Sequence, residues 1–218
     1  MSLGLTDLFN PRTIALIGAS RDPKSVGYGL AKNLLEGCVM RCRYCAPFLG
    51  KVFLVNPFAD KILGASCYRA IAQVNEKIDL AIIATPAPLV EDQVDACIRK
   101  KVKGVIIISA GFAEFSAQGR EIQERIVKKL RKAKIPLIGP NCLGIIRTSI
   151  HLNASFAPSM PPKGNVAFVS QSGALADSII DWAIEERYGF SSIVSLGNSA
   201  DKDVSDFIEY FAEDKETK

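Results

Sequence analysis

The segment Thr13-Ile-Ala-Leu-Ile-Gly18 is an unbroken β-branched and apolar run that ends at a glycine. Similar runs follow at Lys51–Val55, Leu80–Ala84, Gly104–Ser109 and Ile135–Gly139. Half-exposed strands alternate between apolar and polar residues, so continuous runs are typical of strands covered on both faces. Amphipathic stretches that predict helices separate the runs, at 27–36, 89–101 and 115–132. The alternation of strands and helices predicts an α/β fold with a doubly wound parallel sheet.

The five runs predict a Rossmann-type domain over residues 1–145. Residues 146–164 are rich in proline and show little periodicity, which predicts a linker. A second α/β unit follows, with strands predicted at 165–169 and 192–196 and helices at 174–186 and 204–213. Two strands are too few for a complete open sheet, so we expect residues 165–218 to be the truncated start of a second domain.

Composition restricts the class of protein. Of the 218 residues, 48% are hydrophobic and 23% are charged, which predicts a folded chain with a sizeable core. The net charge of +4 is mild and spread along the chain, so nucleic acid is not the expected partner. No apolar run approaches the roughly 20 residues that span a bilayer, and Met1–Asn10 lacks the pattern of a signal peptide. We therefore expect a soluble cytoplasmic protein whose six cysteines are reduced thiols.

The residues that follow the first strand suggest an anion site, since ligands of doubly wound sheets bind at the carboxyl ends of strands. In the turn between Gly18 and Gly27, Gly18 permits a tight bend, and the amides that open the next helix can face an anion. Lys24 and Ser25 add a cation and a hydroxyl. The spacing is close to that of a P-loop, but Pro23 replaces the second glycine, and the dinucleotide fingerprint is absent. A turn that merely connects strand to helix remains the alternative.

Small or rigid turns also follow the other predicted strands, at Asn56-Pro57, Thr85–Pro88, Ser109–Phe112 and Gly139–Gly144. Together they indicate a crevice that takes one long anionic ligand. In the second unit, Val169-Ser-Gln-Ser-Gly173 ends a strand and opens a helix, so Ser170 or Ser172 is either an ordinary N-cap or part of a second anion site. The turn at 197–201 is either a plain connection or part of a pocket.

Cys38, Cys42 and Cys45 have the C-x3-C-x2-C spacing with which radical enzymes hold an iron–sulfur cluster. In those enzymes the loop follows the first strand of a barrel, whereas here it follows a predicted helix. Thiolates also bind zinc, with Cys67 as a candidate fourth ligand. We adopt the simpler interpretation of reduced thiols and predict no metal.

His151 is the only histidine, so any nucleophile–histidine arrangement would have to use it. No carboxylate or nucleophile lies beside it in the sequence, and we interpret it as a solvated loop residue. On the predicted helix 174–186, Ile179, Ile180, Trp182 and Ala183 are predicted to be core residues.

Six segments in this order resemble the CoA-binding α portion of NDP-forming acyl-CoA synthetases. That superfamily includes the ADP-forming acetate–CoA ligases and the α subunit of succinyl-CoA synthetase. The segments are Gly18-Ala-Ser with Lys24-Ser-Val-Gly27, Val55-Asn-Pro57, Thr85-Pro-Ala-Pro88, Ser109-Ala-Gly-Phe112, Gly139-Pro-Asn-Cys-Leu-Gly144 and Val169-Ser-Gln-Ser-Gly173. The resemblance extends over about residues 8–218, and its last two segments are its most specific parts.

This resemblance implies that the Rossmann-type domain binds CoA and that a flavodoxin-like domain begins after it. The CoA-binding residues that it implies are Gly18, Ala19, Ser20, Lys24, Ser25, Val26, Gly27, Val55, Asn56, Pro57, Thr85, Pro86, Ala87, Ser109, Ala110, Gly111 and Asn141. It also implies that Ser170, Gln171, Ser172 and Gly173 bind phosphate near a phosphohistidine, and that Gly197-Asn198 lies near the acyl substrate.

The family reaction converts acyl-CoA, NDP and phosphate to an organic acid, CoA and NTP through an acyl phosphate and a phosphohistidine. The family's phosphohistidine lies further toward the C-terminus than residue 218, and His151 does not match its context. We therefore expect no catalytic residue in this chain and no turnover by the chain alone. ADP or ATP and Mg²⁺ are expected on a nucleotide-grasp β portion or subunit, within an oligomer. The segment 38–45 resembles an insertion.

Three other functions are compatible with parts of the sequence. A CoA-sensing module, or the synthetase-like half of a protein acetyltransferase, would need the same CoA-binding residues without the phosphohistidine. An NAD-linked oxidoreductase is disfavoured by the missing glycine fingerprint. A metal protein built on the three clustered cysteines is the fourth possibility.

Overall fold

The computed structural model describes residues 4–40 and 42–218, which form two β-sheets with flanking helices. The elements of the first part are α1 (Leu5–Phe9), β1 (Thr13–Ile17), α2 (Val26–Glu36), β2 (Lys51–Val55), β3 (Lys61–Ile62), β4 (Ala65–Tyr68), β5 (Leu80–Ile83), α3 (Ala87–Lys100), β6 (Gly104–Ile107), α4 (Ala117–Ala133) and β7 (Leu137–Ile138). The remaining elements are β8 (Gly144–Arg147), β9 (Leu152–Ser155), β10 (Lys163–Ser170), α5 (Gly173–Glu186), β11 (Phe190–Ser195) and α6 (Val204–Glu213). Short 3₁₀ turns lie at Ile71–Gln73 and Thr148–Ile150. Among the described residues, no helix combines the length and the apolar character needed to cross a membrane.

The first sheet confirms the predicted doubly wound architecture. Its strand order is β3-β4-β2-β1-β5-β6-β7, and every pair except β3–β4 is parallel. The chain passes from β1 to β2 on one side and later returns to β5 on the other. The order therefore reverses at β1, which is the point where open α/β sheets place their ligand crevice.

Continuous apolar runs arise because both faces of the sheet are covered. Ile14 and Leu16 of β1 pack in one core cluster with α1, α2 and residues of the second sheet. Ala15 and Ile17 point the other way and pack in a cluster with α3 and α4. Since successive strand residues face opposite sides, a strand buried on both sides needs an apolar residue at every position.

Two details of the first sheet differ from the prediction. The β3–β4 hairpin adds an antiparallel edge that the apolar pattern did not indicate, because both strands are short and all their residues except Ile62 are at least partly exposed. The fifth predicted run, 135–139, yields only the two-residue strand β7. Pro136 lacks an N–H to donate to the ladder, and Gly139-Pro140 turns the chain away directly afterwards.

The predicted linker at 146–164 is wrong as a description of the local structure. The second sheet has the order β10-β11-β8-β9, so strands on either side of Thr148–Ile150 belong to it. β8 pairs antiparallel with both β9 and β11, whereas β10 and β11 are parallel. The second unit therefore uses residues from 144 onward, and its sheet has four strands instead of the two predicted.

Polar residues concealed these strands from a hydrophobic pattern. Asn153 and Ser155 of β9 are buried, and the Ser155 hydroxyl donates to the Asn153 side-chain oxygen at 2.6 Å. Arg147 of β8 is 2% exposed, and its guanidinium donates to both carboxylate oxygens of Asp214 at 2.7 and 2.8 Å. Buried polar groups of this kind are tolerated because each finds a partner inside the protein.

Helix α2 connects the two sheets through the fully buried Asn33. Its side-chain amide donates to the carbonyl oxygens of Ser155 at 2.7 Å and Ala157 at 2.8 Å. Its side-chain oxygen accepts a hydrogen bond from the Val39 amide at 2.9 Å, just beyond the end of the helix. One side chain thus satisfies three backbone groups and fixes the second sheet against α2.

We predict that Asn33→Ala lowers the free energy of unfolding by about 2–4 kcal/mol, because two buried carbonyl groups and one part-buried amide lose their partner. Urea unfolding followed by circular dichroism measures the change. Asn75→Ala, at an exposed position, is the matched control and should stay within about 0.5 kcal/mol of the parent chain. Equal stability of the two variants would contradict the role assigned to Asn33.

Candidate functional site

A cavity of about 820 Å³ lies between the carboxyl ends of the first sheet and the start of α5. Its walls come from the first residue of α2, from the turns after β5, β6 and β7, and from the loop after β11. The volume is in the range of small-molecule and cofactor pockets. The cavity is therefore at the place that the switch point of the sheet predicts.

The turn after β1 is shaped by two glycines in close contact. Gly18 has φ +93°, and a Cβ at Gly27 would overlap the Gly18 carbonyl oxygen. The first turn of α2 therefore packs directly on the end of β1. Ser25 caps the helix by accepting a hydrogen bond from the Tyr28 amide at 3.2 Å. This leaves the first two helical amides, at Val26 and Gly27, without an intrahelical acceptor.

Asn56 and Asp22 fix the conformation of this turn. The Asn56 side-chain amide donates to the Ala19 carbonyl oxygen at 2.7 Å, and its oxygen accepts from the Phe58 amide at 2.7 Å. The Asp22 carboxylate accepts from the Lys24 amide at 3.0 Å. Lys24 itself is exposed, so its ammonium group is accessible to a ligand at the rim.

The start of α3 forms the second wall. Pro86 is its N-cap residue, and the amide of Ala87 at the first helical position has no intrahelical acceptor. The Ser109 hydroxyl donates to the Thr85 carbonyl oxygen and joins the turns after β5 and β6. Within the described part of the chain, the buried Thr85 hydroxyl has no hydrogen-bond partner.

The start of α5 forms the opposite wall. Ser172 caps this helix by accepting a hydrogen bond from the Leu175 amide at 3.2 Å, and the Ser170 hydroxyl accepts from the Ser172 amide at 3.0 Å. The amides of Gly173 and Ala174 lack intrahelical acceptors, and both residues line the cavity. With α2 and α3, this is the third helix whose N-terminal end faces the same space.

The turn between β7 and β8 lies under the loop after β11. Gly197 has no room for a Cβ beside the carbonyls of Pro140 and Asn141, and the Asn198 amide donates to the Pro140 oxygen at 2.9 Å. Asn141 has φ +57°, a conformation that asparagine tolerates better than most residues. The Gly-Pro-Asn-Cys-Leu-Gly segment thus fixes how the two sheets meet at the cavity.

Glu114 connects the loop after β6 to Asn198 in the loop after β11. Its carboxylate accepts from the amides of Gly111 at 2.6 Å and Phe112 at 3.1 Å and from the Asn198 side chain. Burial raises the pKa of Glu114, but the hydrogen bonds from Asn198, Gly111 and Phe112 outweigh it and hold the pKa below its usual value. The carboxylate is therefore engaged by the protein, and the Gly111 amide is not free for a ligand.

Nine of the predicted site residues lie in the cavity wall. Those that line it are Val26, Thr85, Pro86, Ala87, Ser109, Ala110, Asn141, Gln171 and Gly173. The remaining predicted residues lie outside this lining: Gly18, Ala19, Ser20, Lys24, Ser25, Gly27, Val55, Asn56, Pro57, Gly111, Ser170 and Ser172. Several of the latter build the turns that support the wall. For both groups, contact with a ligand stays a prediction.

Phe156 and Asp177 also line the cavity, although no sequence pattern indicated that they belong to the site. Phe156 lies in the segment assigned to a linker, and Asp177 lies one turn into a helix, where no turn motif marks it. Burial and then the nearby Asp181 carboxylate raise the pKa of Asp177. One of its carboxylate oxygens is buried without a hydrogen-bond partner among the described residues.

Other interpretations of single residues are also tested by the structure. His151 is half-buried rather than solvated, in the turn between β8 and β9, and it does not line the cavity. Trp182 is 47% exposed and lies against Tyr188 instead of in the core. Cys142 lines the cavity, but burial raises the pKa of its thiol to about 12, so it is not an activated nucleophile.

Comparison with known proteins agrees with this geometry. Residues 12–148 match the model of a family described as a CoA binding domain, and residues 163–218 match the succinyl-CoA ligase like flavodoxin domain. The chain is 43% identical over 210 residues to acetate–CoA ligase (ADP-forming) I of Archaeoglobus fulgidus, which covers 96% of this chain and 29% of the relative. It is also 43% identical to acetate–CoA ligase (ADP-forming) II subunit alpha of Pyrococcus furiosus, with 96% of this chain and 44% of the relative covered.

A solved structure of an acetyl-coenzyme A synthetase has the same fold as this chain. The dinucleotide forming acetyl-coenzyme A synthetase 1 of Ca. Korarchaeum cryptofilum, in complex with phosphate and ADP, superimposes with a TM-score of 0.89 at 38% identity. The match covers 98% of this chain and 44% of that one.

The fold and the matched segments define a CoA-binding domain joined to a succinyl-CoA ligase-like domain. The chain belongs to this CoA-binding domain family, and its relatives are ADP-forming acyl-CoA ligases, as the six segments indicated. It spans less than half the length of the three relatives compared.

We predict that Gly27→Ala destabilises the chain by at least about 2 kcal/mol, because the new methyl group forces the start of α2 away from Gly18. Gly29→Ala, two residues along the same helix, is the matched control. A Cβ there would meet only a Val39 methyl group at 3.8 Å, so this change should stabilise by about 0.5–1 kcal/mol. Thermal unfolding of both variants measures the difference, and similar melting temperatures would contradict the close packing.

Proposed function

We propose that this chain is the CoA-binding part of an NDP-forming acyl-CoA synthetase and that it binds CoA or acyl-CoA along the cavity. The observation that carries this proposal is the convergence of the N-terminal ends of α2, α3 and α5 on one space. Free amides and helix dipoles at these ends favour anionic groups. CoA carries several phosphates on a long flexible chain, and the family match supports it as the ligand.

In this proposal the turn between Gly18 and Gly27 binds CoA phosphates. The amides of Val26 and Gly27 donate to phosphate oxygens, and the exposed Lys24 adds a positive charge at the rim. Ser25 and Asn56 act as positioning residues, since their side-chain groups already hold the turn and the cap. Val55 and Pro57 flank the nucleotide end of the ligand.

The remainder of CoA follows the turns after β5, β6 and β7 toward α5. Thr85–Ala87, Ser109, Ala110 and Asn141 line that path, and Gly111, whose amide donates to Glu114, lies behind the lining. The unpartnered Thr85 hydroxyl offers a hydrogen bond inside the cavity. This arrangement orients the thiol end of CoA toward the second sheet.

At α5, the segment Ser170–Gly173 receives the phosphate or acyl phosphate of the reaction. The Gly173 and Ala174 amides are the donors there, because Ser172 is occupied by its own cap. Asp177 lies behind them, and burial, followed by the nearby Asp181 carboxylate, raises its pKa. Gly197-Asn198 borders the same space and is the proposed neighbour of the acyl group.

The nucleotide and its Mg²⁺ belong to a part of the synthetase other than the described residues. Mg²⁺ prefers oxygen ligands, and the group of three or more ligating residues in the described part of the chain consists of cysteines. We propose that a β portion or subunit binds ADP or ATP and forms an oligomer with this one, and that the chain alone binds CoA without turnover. A small organic acid is the second product of the proposed reaction.

The test is a calorimetric titration of the chain with CoA, with NADH as the control ligand. We predict a dissociation constant in the micromolar range for CoA and no heat with NADH, because the dinucleotide fingerprint is missing. Binding of NADH without binding of CoA would refute the proposal.

Removing the charge of Lys24 tests, in the same CoA titration, whether the phosphates bind at the turn between Gly18 and Gly27. Lys24→Ala should weaken CoA binding by about three- to tenfold, since one charged contact at an exposed rim contributes little more than 1 kcal/mol. Lys132→Ala is the matched control, because this exposed lysine ends α4 at the opposite edge of the sheet. Equal affinities of the two variants would place the phosphates elsewhere.

A further inference from the structure

Three cysteines converge in the loop that follows α2. The Sγ atoms of Cys38, Cys42 and Cys45 all lie within 4.8 Å of one another. The structure joins Cys38 and Cys45 as a disulfide, which differs from the prediction of reduced thiols, and Cys42 remains a free cysteine. The Cys42 sulfur lies only 2.7 Å from that of Cys45.

The disulfide explains why the Cys38 and Cys45 sulfurs lie together, but it does not explain why Cys42 lies beside them. The loop brings Cys42 against Cys45 and within 4.8 Å of Cys38, so one position is in reach of all three sulfur atoms. Around a tetrahedral zinc ion, Zn–S bonds of about 2.3 Å place two sulfurs about 3.8 Å apart. An iron–sulfur cluster would insert several iron and sulfide atoms between the thiolates and spread them further. The three Sγ atoms lie within 4.8 Å of one another, so once the Cys38–Cys45 bond is reduced they need only small shifts to reach the spacing around zinc.

We propose that Cys38, Cys42 and Cys45 in their reduced form bind one thiophilic divalent cation of the zinc class. Three thiolates are the ligands, and a water molecule completes the tetrahedron. Cys67, the fourth ligand considered from the sequence, is not in the group that the described residues form. Thiolates select zinc over the hard cations that oxygen ligands prefer.

The step from the disulfide to the metal site is balanced by a dithiol reductant. The reductant transfers two electrons and two protons to the Cys38–Cys45 bond and itself becomes a disulfide. The divalent cation then replaces the three thiol protons, which are released to solvent. The loaded site carries one net negative charge, and Arg43 lies between two of its ligands in the sequence.

The surroundings are those of a structural site. Cys38 is buried in a cluster with Leu143, Ile146 and Met160, and Cys42 and Cys45 pack against that cluster. The Met40 amide donates to the Pro158 carbonyl oxygen at 2.8 Å, so the loop already contacts the segment after β9. The Met160 carbonyl oxygen lies 3.6 Å from the Cys42 sulfur. An ion held here ties the end of α2 to the second sheet.

The experiment is elemental analysis of the full chain, purified under reducing conditions with zinc in the growth medium and then dialysed. We expect about one zinc per chain, a large loss of zinc in Cys42→Ser and Cys45→Ser, and full retention in Cys67→Ser as the matched control. Stripping the metal with a chelator should lower the melting temperature of the parent chain, because the loop loses its cross-link.

A second measurement does not depend on the folding of the variants. Cobalt(II) added to the reduced, metal-free parent chain should give the visible ligand-field bands of tetrahedral coordination and a thiolate charge-transfer band, with one equivalent at saturation. Zinc should abolish both bands. Reduced chain that takes up neither metal, or iron with equimolar sulfide in place of zinc, would overturn the proposal. CoA binding is measured separately, so failure of the metal proposal is distinguishable from failure of the proposed function.

Discussion

The position of α2 is the constraint on which the cavity depends. At its start, Gly27 lies against the Gly18 carbonyl with no room for a side chain. Toward its end, Asn33 donates to the carbonyl oxygens of Ser155 in the second sheet and of Ala157 just after that strand. Because one rigid helix makes both contacts, the separation of the two cavity walls is set by packing before any ligand binds. Such preorganisation lowers the entropic cost of holding a long flexible molecule.

The anion site is built from backbone rather than from a cluster of basic side chains. Three helix N-termini face the cavity, and the side chains between them are mainly small or apolar. Hydrogen bonds strengthen in such a low-dielectric setting. Of the acidic groups nearby, the Glu114 carboxylate is engaged by protein donors, and burial raises the pKa of Asp177. A net charge of only +4 is therefore compatible with a polyanionic ligand.

The sequence was sufficient for the parallel strands β1, β2, β5 and β6 and for the turns that follow them, because buried parallel strands carry strong local signals. It failed where polar residues are buried in pairs. The prolines and missing periodicity of 146–164 indicated a linker, yet Arg147 and Asn153 are strand residues whose side chains bond to Asp214 and Ser155. Phe156 and Asp177 were missed for a related reason, since only tertiary packing brings them to the cavity. No local pattern encodes a partner that is distant along the chain.

The cysteine loop and the proposed CoA turn lie at opposite ends of the same helix. At about 1.5 Å per residue, the 11 residues of α2 separate them by about 16 Å. The loop contacts Pro158 and Met160, and the same segment begins with Phe156, which lines the cavity. Closing the loop on an ion would thus restrict the cavity wall as well as the helix. An ion in the cysteine loop can therefore affect the cavity without a movement of α2, because the loop contacts the segment after β9 and that segment contributes Phe156 to the cavity wall.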